Sequence, residues 1–139
     1  MKHIAAIAVI LLVSLAGTGS ASAQTPKFKA DVPFGFYVMN KWVPPGTYTL
    51  SADARTPNIV SIGNTANRIA LFDVGYSVDK QEGPSRLVFH KYGDHYFLSA
   101  IQCSSCRMNV AFFRSSQEKE EQTREAANRA PKNIYLALK

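Results

Sequence analysis

The chain has 139 residues, with 16 basic and 10 acidic side chains and a formal net charge of +6. That length, less an N-terminal leader, leaves room for one hydrophobic core but not for two. Lys and Arg are scattered among acids rather than gathered in a patch, so nucleic acid is not an expected partner; the charge serves solubility, or attraction to anionic envelope polymers and lipid headgroups.

Residues 1–23 read as a secretory signal peptide. Met1-Lys2-His3 is a short basic start, Ile4 to Gly17 is almost continuously apolar, and Ala21-Ser22-Ala23 places small residues where a signal peptidase reads. The apolar run is shorter than the roughly twenty residues a membrane-spanning helix needs, and no second run follows. Cleavage after Ala23 is expected to release a periplasmic or extracellular protein that begins at Gln24 and has no transmembrane segment.

Residues 24–114 carry the marks of an antiparallel β domain. In "KADVPFGFYVMNKWVPPGTYTLSAD", aromatic and β-branched residues alternate with turn signals. Asn40-Lys41 is expected to turn the chain. Pro44-Pro45-Gly46 suits a type II turn, and Tyr48, Leu50 and Ala52 alternate with Thr47, Thr49 and Ser51 as a half-buried strand. Further strands are expected at 58–62, 68–78, 86–92, 95–102 and 107–113, punctuated by Asn64, Gly83-Pro84, Gly93-Asp94 and Ser104-Ser105. The predicted fold class is mainly all-β, a small antiparallel sandwich or barrel.

Composition changes at Ser115. Residues 115–131 read as a polar, solvated helix or spacer ended by Pro131, with Ser115 and Glu118 spaced as a capping box. Glu120 with Arg124, and Glu125 with Arg129, are four apart and suited to surface pairing. Residues 132–139 regain strand character, and Ile134, Leu136 and Leu138 could extend an edge of the same sheet or of another molecule's.

Two histidines and two cysteines lie in "FHKYGDHYFLSAIQCSSC". A two-residue turn at Gly93-Asp94 sets His90 opposite Phe97 and Tyr92 opposite His95. Cys103 then lies about 27 Å from His95 along the strand, too far to share a metal ion, and no metal or other cofactor is expected. Cys103 and Cys106 must turn to meet, and in an oxidising compartment they are expected to form a disulfide-stapled hairpin tip. A catalytic thiol pair is the alternative, but such motifs sit at helix N-termini and strand-like sequence follows here.

No phosphate-binding loop, nucleophile elbow or zinc-protease motif occurs. His90, His95, Asp73, Asp94 and Glu82 are isolated acid or base candidates that no spacing unites, so no catalytic residue is assigned. The simple alternation of the strands points Phe89, Leu98, Ala111 and Phe113 one way. It points Val88, Phe97, Ile101, Met108, Val110 and Phe112 the other. Of these, Phe97, Ile101, Met108, Val110 and Phe112 form the candidate binding face.

The segments "DVPFGFYVMNKWVPPGTYTL" and "RLVFHKYGDHYFLSAI" together resemble the hallmark segments of small exported proteins of unknown function from soil-dwelling Gram-negative bacteria. The resemblance implies export and a compact β domain, and it brings no activity or cofactor. The expected function is therefore a non-catalytic envelope or secreted module acting by binding or assembly. One alternative is a carrier of an apolar small molecule in a barrel pocket, and the other is a thiol-disulfide redox protein using Cys103 and Cys106. The expected partner is an envelope component, an apolar small molecule or a second copy of the chain.

Overall fold

The computed structural model describes residues 25, 27–53, 55–103, 108–126 and 131–139. The signal peptide, the Ser104-Ser105 turn, Cys106 and the Glu125–Arg129 pair therefore fall wholly or partly outside the described residues. Among the described residues, ten strands and one helix follow in order: β1 Lys27–Val32, β2 Phe36–Val38, β3 Lys41–Val43, β4 Gly46–Ala52, β5 Ile59–Asn64, β6 Ile69–Ser77, β7 Arg86–Tyr92, β8 His95–Gln102, β9 Val110–Phe112, α1 Ser116–Ala126 and β10 Lys132–Ala137. The protein is thus mainly β, with a C-terminal helix and a final strand, as its alternating patterns predict.

Strands β1, β4, β5 and β6 form one antiparallel run, and β10, β7, β8 and β9 form another. Strand β6 joins them. Its residues through Val74 pair with β5, and Gly75, Tyr76 and Ser77 pair with β9. Glycine is required at this handover, because a Cβ on residue 75 would stand 2.4 Å from both the Ala111 carbonyl oxygen and Val110 Cγ1. The short β2–β3 hairpin attaches to β8 by one parallel pairing, Tyr37 with Phe97.

The sheet does not close into a barrel by strand ladders. Its outer edges meet beyond the end of β10, where the Lys29 and Lys139 amides each donate to the other's carbonyl at 3.0 and 2.8 Å. Beside this seam, Asp31 accepts from Thr47 Oγ1 at 2.7 Å and from Lys139 Nζ at 2.6 Å. These bonds to Lys139 and Thr47 hold the Asp31 carboxyl below its ordinary range. The final strand adds to β7 of its own chain, and Ile134, Leu136 and Leu138 pack against the core.

Alternation buries Tyr48, Leu50 and Ala52 from β4, with Val60 and Ile62 from β5 facing the same interior. Phe36 meets both Tyr48 and Phe89 edge to face, with ring centroids 5.1 and 5.2 Å apart. Gly46 does not fill the middle of a type II turn. It opens β4 opposite Val32, where a Cβ would come 2.6 Å from Asn64 Nδ2. Tyr48, two residues on, donates its hydroxyl back to the Pro44 carbonyl at 2.5 Å, which fastens this corner.

Candidate functional site

The predicted hairpin register is the observed one: His90 faces Phe97 and Tyr92 faces His95 across a turn in which Gly93 has φ +54°. Farther along, the ladder slips. Phe89 pairs with Leu98 and Val88 with Ala100, which leaves Ser99 as an extra residue in β8, a β-bulge. One inserted residue reverses the alternation beyond it.

The expected binding face is corrected by this bulge. Ile101, Met108, Val110 and Phe112 belong to the interior cluster with Phe89 and Leu98, whereas Phe97 lies on the opposite, outer face. There it stacks on Tyr37 at 5.0 Å and is almost fully buried. Ala111 pairs with Ala100 and Tyr76, so it too belongs to the outer face, and the five proposed residues do not share a surface.

Beside Phe97, the outer face of β7 and β8 carries a polar cluster. His90 Nδ1 lies 2.6 Å from Glu118 Oε1, and His90 Nε2 lies 2.9 Å from Ser99 Oγ. Tyr92 donates its hydroxyl to the same Glu118 oxygen at 3.2 Å, and Arg114 Nε stands 3.7 Å from it. Burial, and then the neighbouring Glu118 charge, push the Tyr92 phenol up to about 12. His95 Nδ1 lies 3.3 Å from Glu121 Oε1, one turn along the same helix.

The spacing of Ser115 and Glu118 suggests a reciprocal capping box, and only half of it forms. Ser115 Oγ accepts the Glu118 amide at 3.1 Å, while the buried Glu118 side chain turns to His90 and Tyr92. Asn40, in the β2–β3 turn, accepts from the Gln117 amide at 3.2 Å and donates to Ser116 Oγ at 3.1 Å. The helix is therefore held against the sheet by polar contacts. Arg124 pairs with Glu121 at 3.3 Å rather than with Glu120.

Of the isolated acid and base candidates, His90 and His95 come together under α1, while Asp73 does not join them. Asp73 occupies a core-facing position of β6, accepting the Val74 amide at 2.8 Å, and burial raises its carboxyl above the ordinary range. Ser99, Tyr92 and Glu118 were not among the candidates read from the sequence. The hairpin register contains a signal for Ser99, two residues beyond Phe97 and so diagonal to His90.

A second feature adjoins this cluster on the same outer face. Phe72, Val74, Tyr76 and Phe113 are 64 %, 55 %, 46 % and 66 % exposed, with Ile59 beside Val74 and the Tyr76 and Phe113 rings 5.1 Å apart. Ala111 links the two regions, since it pairs with Tyr76 on one side and with Ala100, next to Ser99, on the other. At the far end, Phe72 and Ile59 border a recess of about 190 Å³ shared with Thr25, Ser51, Asp53 and Ser61.

Cys103 is fully buried, accepts a hydrogen bond from Ser85 Oγ at 3.4 Å, and donates its amide to Asn109 Oδ1 at 3.1 Å. Among the described residues no group of three or more His, Cys, Asp or Glu side chains is arranged to hold a metal ion, and no helix is long and apolar enough to cross a membrane. Comparison of the chain with protein-family models, curated proteins and solved structures gives no match.

Proposed function

We propose that this protein is an exported binding module that docks an anionic amphiphile of the cell envelope on the outer face of β5, β6 and β9. The supporting observation is the contiguous row of exposed apolar side chains Phe72, Val74, Tyr76 and Phe113. Singly exposed apolar residues are ordinary, but a row of this kind on one sheet face marks an interaction surface. Charge selects the occupant: the chain's net charge of +6 attracts anionic groups. The apolar row suits acyl chains, and the net positive charge suits negatively charged headgroups.

Binding on the outside fits an interior occupied by Phe36, Tyr48, Phe89 and Ile62 better than a carrier pocket does. In this reading Cys103 and Cys106 staple a hairpin tip rather than exchange disulfides, since a reactive thiol needs partial exposure and Cys103 is buried. The test is sedimentation of the purified mature protein with vesicles of phosphatidylglycerol and phosphatidylcholine. Co-sedimentation is expected only when the anionic lipid is present, and a Phe72→Ser/Phe113→Ser variant should lower it about tenfold or more. Equal sedimentation with pure phosphatidylcholine, or none with either vesicle, rejects the proposal.

A further inference from the structure

The geometry points to a second, catalytic capacity: Ser99, His90 and Glu118 form a nucleophile, base and orienting carboxylate for hydrolysing esters of small apolar acyl groups. The three residues come from β8, β7 and α1, and their contacts run in one line, Ser99 Oγ to His90 Nε2 at 2.9 Å and His90 Nδ1 to Glu118 Oε1 at 2.6 Å. A hydroxyl within hydrogen-bond reach of an imidazole whose other nitrogen meets a carboxylate is the arrangement that activates a serine.

The carboxylate settles the imidazole's orientation. Glu118 accepts at Nδ1, so that nitrogen carries the proton and Nε2 offers its lone pair to the Ser99 hydroxyl. Tyr92 also donates to Glu118, which keeps the buried carboxylate in place. The β-bulge supplies an independent observation, because bulges re-aim a side chain beside a site, and Ser99 is the residue that this one inserts. The cluster is reachable from solvent: the His90 side chain is 17 % exposed and Ser99 is half-buried. Ala100 and Ala111 form a small-residue floor leading from Ser99 to Tyr76 and Phe113, and this floor is where an acyl group would lie.

The chemistry balances without a redox partner. Ser99 Oγ attacks the ester carbonyl carbon as its proton passes to His90 Nε2. The tetrahedral intermediate then expels the alcohol, which takes the proton from His90. Water attacks the acyl-Ser99 ester with His90 again accepting a proton, the carbon–Oγ bond breaks, and that proton returns to Oγ as the carboxylic acid leaves. Glu118 touches no reacting atom and acts as a positioning residue.

The experiment uses soluble probes, so its outcome is separate from vesicle docking. Mature protein is incubated with an alkyl fluorophosphonate and read by intact and peptide mass, and p-nitrophenyl butyrate hydrolysis is followed in parallel. One adduct on the Ser99 peptide is expected, absent in Ser99→Ala and formed at least about 100-fold more slowly in His90→Gln. Glu118→Gln should lower kcat with KM unchanged, and Ser99→Ala should keep the wild-type unfolding midpoint. An unlabelled wild type, a label on another residue, or equal labelling of His90→Gln overturns the proposal and leaves the cluster as a clamp for α1.

Discussion

The outer face of the sheet has two halves built on opposite principles. Over β7 and β8 it carries a polar cluster beside the buried Phe97: His90, Tyr92 and His95 meet Glu118 and Glu121 from α1, and Ser99 meets His90. Over β5, β6 and β9 it is aromatic and bare, with Phe72 and Phe113 each about two-thirds exposed. Amphipathic intuition assigns apolar residues to covered surfaces and polar ones to open surfaces. The bare half departs from that rule, while on the other half hydrogen bonds fasten α1 beside the buried Phe97 and Tyr92.

Several perturbations break or sharpen this contrast. The largest effect is expected where the halves join. Gly75→Ala forces a Cβ into the Ala111 carbonyl, and urea unfolding should show a loss of about 3 kcal/mol with β6 and β9 pushed apart. A loss confined to a few tenths would mean that the junction yields freely. Next comes the polar half: Glu118→Ala leaves His90 Nδ1 and the Tyr92 hydroxyl without their acceptor. It should cost about 2 kcal/mol with loss of helical circular dichroism, whereas retention of helix signal would show that α1 does not depend on this carboxylate.

An alkaline titration sharpens the same half. The Tyr92 phenol is raised in the fold to about 12 from an ordinary 10.0, so the folded state holds its proton longer than the unfolded chain does. Its contribution is fully present below pH 10 and is lost as pH rises toward 12. By pH 11 the wild type should lose on the order of 1 kcal/mol more than Tyr92→Phe does, relative to pH 8. Parallel curves for the two proteins would remove Tyr92 from the account. The smallest effect belongs to the bare half, where Phe72→Ser/Phe113→Ser should change unfolding free energy by no more than about 0.5 kcal/mol per site. A larger loss would identify these aromatics as structural.

Strands β7 and β8 and the Gly93-Asp94 turn are legible to the residue, because period-two alternation and turn chemistry act over a few neighbouring positions. The burial of Tyr48, Leu50 and Ala52 follows from the same rule. The bulge at Ser99 carries no local mark. Without it Ile101 reads as a neighbour of Phe97, and the predicted binding face mixes two sides of the sheet. Glu118 is concealed differently, since its spacing from Ser115 accounts for it within the helix, while its actual partner His90 lies 28 positions away.

By itself the sequence determined the class of fold, the order of its elements and the absence of any contiguous catalytic motif, since these are properties of short windows of chain. Only the tertiary structure decided which strand shares β6 with β5, where α1 docks, and that a serine, an imidazole and a carboxylate stand in line. Those outcomes depend on which distant backbones can approach. A glycine at 75 lets β6 meet β9 and one inserted residue at 99 shifts the facing of β8, and neither is marked in the residues around it.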